Sequence, residues 1–240
     1  MSIFSLITIR EGSKGLKNKC LQKICGRYVF EYTVDYSLGL SKNIEGLFTV
    51  VSSDSRTVED YCLKYGINFI KRPPELAVDY AKIEDVIYDA HKKVDREFDY
   101  ISLLYGNIPV RYPEEFLKAY NFLLNNSDYD CVLSMQNVEK YNPAWMHKLR
   151  GDCLPLKENK GYRRQDLKQF MIHDGHTVLF RSKKFLEFKG RSLKDDVMHG
   201  VFGEKIKPML NDKLIVDIDT ERDLLLAEAV VEFRKNKSKN

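Results

Sequence analysis

The sequence predicts an α/β domain of three layers, a mostly parallel sheet with helices on both faces, on three observations. The first is the opening: Ile3-Phe4-Ser5-Leu6-Ile7-Thr8-Ile9, a short apolar and β-branched run, breaks into a basic loop punctuated by Gly12 and Gly15. α/β proteins use that pattern to bring backbone amides and cations up to a phosphate. The second is the alternation of strand-like and helix-like segments over the first 134 residues, which requires parallel strands joined by helical crossovers. The third is length: 240 residues suffice for one large domain with a small excursion rather than two domains.

In chain order, residues 28–37 place apolar side chains at helical intervals, and Gly39 is the expected stop. Residues 47–52 read as a buried strand ending in Ser53-Asp54, 57–65 as a helix stopped by Gly66, and 67–70 as a short strand. Pro73 and Pro74 forbid a helical start, so residues 71–79 form a turn that presents Arg72 near the strand ends. An amphipathic helix over 83–94 carries His91 as a helix-face histidine. A strand over 100–104, a helix over 113–124 opened by Pro113, and a strand over 130–134 continue the pattern. From 136 to 164 it fails, and Tyr141, Trp145, Met146 and His147 crowd an irregular stretch. That stretch is either a core-covering loop or an arm, since aromatic and Met side chains make good interface anchors. Residues 177–180 form a strand after the Asp174-Gly175 turn; His173 and His176 beside it lack the further ligands zinc needs. Residues 205–209 read as a loop or edge strand and 214–219 as the last strand, after which Thr220 and Asp223 cap a final helix. The expected organisation is one domain over 1–234, an excursion over 136–170, and a frayed polar tail over 235–240.

The net charge of +4 is mild, and the basic residues form no long block, so nucleic acid is not required as a partner. Cys20, Cys25, Cys62, Cys131 and Cys153 are odd in number and include no CxxC pair, which predicts reduced thiols in a cytoplasm. Neither an export segment nor an apolar run near about 18 residues is present, so no membrane association is expected.

The basic loop fits a nucleoside triphosphate. Glycines at 12 and 15 let the backbone approach an anion, Ser13 offers a hydroxyl, and Arg10, Lys14 and Lys19 offset charge on oxygens. From Arg10 to Arg27 six basic residues face one acid, Glu11. The loop is neither a Walker A sequence nor a dinucleotide fingerprint, and by pattern alone it could be a solvated basic turn. A dehydrogenase of Rossmann type would need glycine spacing that Gly12-Ser13-Lys14-Gly15 lacks. At the other end of the chain, Asp217 and Asp219 alternate along an extended segment and can point together while Ile218 enters the opposite layer. Two neighbouring carboxylates repel unless a cation lies between them; beside a triphosphate the expected cation is Mg²⁺. Read without the rest of the chain, the same pair could simply cap the helix that follows.

Arg10-x-x-Ser13-Lys14-Gly15-Leu16-x-x-Lys19 resembles the N-terminal signature of the acylneuraminate cytidylyltransferases, which form CMP-sugars from CTP and a free ulosonic acid. Further blocks follow in the family's order. Arg72, Glu75, Leu76, Ala77 and Asp79 resemble RPxELAxD, whose arginine lies near the base; Leu103-Leu104, Pro109 and Arg111 resemble LLQPTSPLR. Tyr162-Arg163-Arg164-Gln165 resembles the arginine–glutamine motif that contacts the sugar, and residues 217–228 resemble DIDTxxDLxxAE. The resemblance implies a Rossmann-like nucleotidyltransferase fold of GT-A type, with 136–170 as a dimerisation and sugar-site arm. It implies a homodimer acting on CTP and a sialic acid-like 2-ulosonic acid, with Mg²⁺ as cofactor held by Asp217 and Asp219. Arg10, Gly12, Ser13, Lys14, Lys19 and Arg72 are the implied nucleotide ligands, and Tyr105, Arg111, Arg164 and Gln165 the implied acceptor ligands. Arg10, Lys14, Lys19, Asp217 and Asp219 are the implied catalytic set.

Two positions depart from the pattern. Tyr105 replaces a glutamine, with Gly106-Asn107-Ile108 in place of Pro-Thr-Ser, and Cys20 replaces an asparagine. These point to an unusual acceptor or to a nucleotide preference other than strict CTP. The remaining alternative, a non-catalytic nucleotide-sugar binding protein, would keep the basic loop without magnesium-dependent turnover.

Overall fold

A computed structural model describes residues 1–13, 15–150, 152–155, 163–188 and 203–237. Seven strands form one sheet: β1 (Ile3–Thr8), β4 (Leu47–Ser53), β5 (Asn68–Lys71), β6 (Tyr100–Tyr105), β7 (Cys131–Asn137), β10 (Met171–Arg181) and β11 (Ile206–Leu210). Their order is β11-β7-β10-β6-β1-β4-β5. β1 lies parallel to β4 and to β6, and β4 parallel to β5, while β10 runs antiparallel to both β6 and β7. The remaining short strands form two hairpins, β2 (Lys23–Ile24) with β3 (Arg27–Tyr28) and β8 (His147–Arg150) with β9 (Asp152–Pro155).

The helices are α1 (Val29–Ser41), α2 (Arg56–Tyr65), α3 (Ile83–Val94), α4 (Pro113–Asn125), α5 (Ser182–Phe188) and α6 (Glu221–Lys237). Their starts and stops follow local chemistry. Glu31 accepts from the backbone N–H of Tyr28 at 3.1 Å to open α1, and Gly66, in the left-handed region at φ 66°, closes α2. Pro113 opens α4 where its missing N–H costs nothing. Phe4 and Leu6 of β1 enter one apolar layer with Ile87 and Phe180, while Ile7 enters the other with Phe30 and Val34. β1 is therefore buried on both faces, as the centre of a parallel sheet must be.

Three expectations are corrected. Gly39 does not stop α1, because Leu40, 2% exposed, still anchors that turn in the core. The strand expected over 177–180 is eleven residues long and begins at Met171, with a register shift between His173 and Val178 that absorbs Gly175 at φ 68°. The last expected strand, 214–219, lies outside the sheet. β11 already occupies the edge beside β7, so the later segment crosses the strand ends and hydrogen-bonds the loop after β6, Ile218 N–H to Asn107 O at 3.1 Å. Val216 and Ile218 are buried there with Ala227 and Val231 of α6.

This topology fixes where a ligand belongs. From β1 the chain adds β4 and β5 on one side and then crosses to β6 on the other, so the connection reverses at β1. In open α/β sheets the ligand crevice lies beyond the carboxyl ends of the strands at such a reversal. The loops that leave β1, β5 and β6 all converge there.

Candidate functional site

A cavity of about 260 Å³ opens beyond the ends of β1 and β6. Its lining combines the cationic Arg10, Lys19 and Arg72 and the hydroxyl of Ser13 with the apolar Leu76, Val78, Ile83 and Val86. Thr8, Cys20, Asp79, Ala81, Tyr105 and Asn107 complete it. A lining that is part cationic and part hydrocarbon suits a ligand that carries both phosphates and a flat or apolar part.

The basic loop is closed on itself. Gly12, at φ 81°, donates its N–H to Asn18 Oδ1 at 3.1 Å. Ser13 Oγ donates to the carbonyl of Leu16 and accepts from the N–H of Lys19 at 3.1 Å. Lys14 lies outside the described residues. Arg10 pairs with Asp79 at 2.7 Å, so the turn after β5 is tied to the loop after β1 across the cavity. Arg72 is 5% exposed and donates through Nη2 to the carbonyl of Ser52 at 2.9 Å. Burial lowers its pKa to about 10, still far above neutrality, so the buried guanidinium stays charged.

The acidic segment meets the loop directly. Lys19 Nζ lies 2.5 Å from Asp219 Oδ1, and a Cβ on Gly15 would stand 2.8 Å from the carbonyl oxygen of Asp219. Only glycine allows that approach. Asp217 is raised from 3.8 to about 6, first by burial and then by the neighbouring charge of Asp219, against the opposing pull of Lys19. Among the described residues no cluster of three or more His, Cys, Asp or Glu is present. The carboxylates of Asp217 and Asp219 are nevertheless hard oxygen donors of the kind Mg²⁺ takes.

The four implied acceptor ligands separate in space. Tyr105 lines the cavity, and burial pushes its phenol up to about 12. Arg111 is 5% exposed and turned away from solvent: it donates through Nη1 to the carbonyl of His176, and through Nη2 to that of Tyr105 at 3.0 Å. Its geometry is that of a buried brace for the loop after β6, not of a group that grips a carboxylate in solution. His176 lies against this brace. It accepts from Tyr112 N–H at 2.8 Å, and burial together with Arg111 and Arg234 lowers it to about 3, so it is neutral throughout the physiological range. Arg164, paired with exposed Glu139 at 3.3 Å, and Gln165 line a different groove of about 290 Å³ with Asn142 and Phe170. A single chain does not bring them to the cavity beside β1.

Asn107 is a cavity residue that motif reading did not single out. It is 7% exposed, faces the cavity, and donates through Nδ2 to Asp217 Oδ1. Its signal was the break in the LLQPTSPLR pattern, visible as a departure but silent about geometry.

Known proteins resemble the chain in both sequence and fold. The sequence profile of a family described as cytidylyltransferase matches residues 4–236. The chain is 28% identical over 196 residues to an N-acylneuraminate cytidylyltransferase of Streptococcus agalactiae serotype V, covering 79% of this chain and 46% of that protein. It is 26% identical over 243 residues to an N-acylneuraminate cytidylyltransferase of Escherichia coli O18:K1:H7, covering 99% and 54%. The chain thus spans about half the length of these curated relatives. It is also 25% identical to a post-translational flagellin modification protein B of Campylobacter coli, with 99% of this chain and 98% of that one covered. Among solved structures, a CMP:2-keto-3-deoxy-manno-octonic acid synthetase complexed with CTP superposes with TM-score 0.73 at 16% identity, covering 98% of this chain and 100% of the other. A 4-diphosphocytidyl-2C-methyl-D-erythritol synthase of Anaerococcus prevotii superposes with TM-score 0.61 at 18% identity, covering 96% and 98%. The structural likenesses establish the fold, and with the profile spanning nearly every residue the chain belongs to the cytidylyltransferase family.

Proposed function

We propose that this protein is a cytidylyltransferase that joins CMP from CTP to the anomeric hydroxyl of a sialic acid-like 2-ulosonic acid. The observation that carries the reading is the contact between the two halves of the site: Lys19 of the cationic loop sits on Asp219 of the carboxylate pair. The hydroxyl oxygen attacks the α-phosphorus in line, the bond from that phosphorus to the β-phosphate bridge breaks, pyrophosphate leaves, and the hydroxyl proton passes to solvent. Arg10, Lys14, Lys19 and Arg72 hold the triphosphate and stabilise the charge that moves onto the leaving group. Asp217 and Asp219 would hold Mg²⁺, which when bound supplies Lewis-acid stabilisation of the phosphoryl oxygens. The apolar part of the lining receives the nucleoside, and Tyr105 borders the acceptor.

The working form in this reading is a homodimer. Tyr141, Met146, Met171 and Ile172 are 60%, 42%, 51% and 57% exposed, an apolar surface on and beside the arm that a second copy covers. Arg164 and Gln165, remote from the cavity of their own chain, reach the acceptor of the neighbour. Cys20, Cys25, Cys62 and Cys131 are free thiols, in keeping with a reducing cytoplasm.

A second reading, a nucleotidyltransferase of the same fold with another acceptor or nucleotide, is favoured by Cys20, whose thiol lies in the cavity wall and is raised to about 11 by burial. It is a weak hydrogen-bonding group where an amide would read polar atoms. Both readings are tested by pyrophosphate release with Mg²⁺, using each of the four nucleoside triphosphates against a panel of free 2-ulosonic acids. Release with CTP and one acid supports the first reading. Release with another nucleotide supports the second, and silence across the panel with nucleotide binding retained refutes the first and points to another acceptor or to a binding protein.

A further inference from the structure

We infer that Asn107 is a positioning residue for the carboxylate pair, the joint through which the loop after β6 sets where Asp217 stands; this rests on the reading of the site given above. A side-chain amide has two N–H donors, and Nδ2 of Asn107 spends its donors on one segment. It donates to Asp217 Oδ1 and, at 3.1 Å, to the carbonyl of Ile218. The carbonyl of Asn107 in turn accepts from Ile218 N–H at 3.1 Å. Three bonds from one residue to two consecutive residues fix both the position and the rotation of the segment that carries the carboxylates. That segment lies outside the sheet, so no strand ladder does this for it.

The loop behind Asn107 is itself immobilised. Gly106 N–H donates to Thr8 O at 3.1 Å, and a Cβ at 106 would stand 2.6 Å from Ile9 Cγ1 and 3.2 Å from Thr8 O. Thr33 Oγ1 donates to the carbonyl of Ile108 at 3.1 Å, and Arg111 to that of Tyr105 at 3.0 Å. Asn107 is thus a fixed reference on the end of β6, between the cationic part of the lining and the carboxylates. A carboxylate that holds a cation beside a triphosphate needs one oxygen aimed and the other constrained, and a donated N–H bond constrains it. The Gly106-Asn107 pair explains the break in the family pattern: glycine lets the loop press onto β1, and asparagine supplies the donors.

The test follows Mn²⁺ binding by electron paramagnetic resonance in the presence of CTP, for wild type, Asn107→Ala and Asn107→Thr, with thermal melting alongside. In Asn107→Ala the half-saturating Mn²⁺ concentration rises about ten- to a hundredfold; Asn107→Thr, which keeps one donor, lies between. In an Asp217→Asn background the Ala substitution adds nothing, because it acts through that carboxylate. An unchanged Mn²⁺ midpoint in Asn107→Ala, or an additive effect in the Asp217→Asn background, overturns the role of Asn107. If Asn107→Ala does not fold, Asn107→Thr carries the same comparison. A wild type whose Mn²⁺ binding CTP does not strengthen overturns the reading of the site itself, and the inference falls with it.

Discussion

Asp217→Asn should make the ligand-free protein more stable above neutrality while destroying its activity. The carboxyl of Asp217 is raised from 3.8 to about 6 by burial and by Asp219. Because the folded chain holds this proton more tightly than the unfolded chain, the stability it contributes is complete below about 3.8 and is lost as pH rises through about 6. At about 1.4 kcal/mol for each tenfold change in proton affinity, and with solvent screening out much of that because Asp217 is exposed, the ionised carboxylate costs the fold about 1 kcal/mol at pH 8. Asparagine carries no charge to bury, and its carbonyl oxygen still accepts from Asn107. For a chain of this size about 1 kcal/mol moves Tm by roughly 2–4 °C. The assay is urea and thermal unfolding in EDTA at pH 8 and at pH 4. Asp217→Asn should be the more stable at pH 8, with the gap closing at pH 4. With CTP and Mg²⁺ the order reverses, because the wild type gains the binding energy of the complex. Equal stability at pH 8, or a less stable variant, would refute the claim that this carboxylate is held at a cost for its function.

Gly15→Ala places a methyl group 2.8 Å from the carbonyl of Asp219; it should leave Tm within a few degrees while lowering kcat/KM about a hundredfold by displacing the loop from the carboxylates. Arg111→Lys forfeits the guanidinium bonds to the carbonyls of His176 and Tyr105. It should cost about 3 kcal/mol or more, read as a lower Tm rather than as a specific rise in acceptor KM. Arg164→Ala should behave oppositely, since its pairing with exposed Glu139 contributes little to stability. Its Tm stays within about 1 °C of wild type while the acceptor KM rises. If both variants changed Tm alike with no change in KM, the arm would have no part in the acceptor site.

The order of strands and helices was legible because each element carries its own period and its own stop: β1 is apolar on both faces, α2 ends on Gly66, and α4 opens on Pro113. Errors arose where tertiary context overrode local pattern. Gly39 looks like a stop, but Leu40 one residue later has a core position to fill. Residues 214–219 alternate like a strand, yet the sheet edge is already taken by β11. The alternation was still informative, since Val216 and Ile218 are buried under α6 as it required. In the site, residue type pointed to charge but not to orientation. Arg10, Lys19 and Arg72 line one cavity, as their loops suggested, whereas Arg111 has the right chemistry for a carboxylate and spends it on carbonyls. Asn107 could not be found from motif reading, because its role depends on a segment 110 residues away in sequence.

The most direct test of the account uses a 2-ulosonic acid labelled with ¹⁸O at its anomeric hydroxyl, incubated with the protein, CTP and Mg²⁺, with products weighed by mass spectrometry. CMP-sugar carrying the label in the bond between sugar and phosphorus is the expected product, with an equal amount of unlabelled pyrophosphate. Label in pyrophosphate, loss of label from the CMP product, or phosphate instead of pyrophosphate as the leaving group would contradict attack of the acceptor hydroxyl on the α-phosphorus.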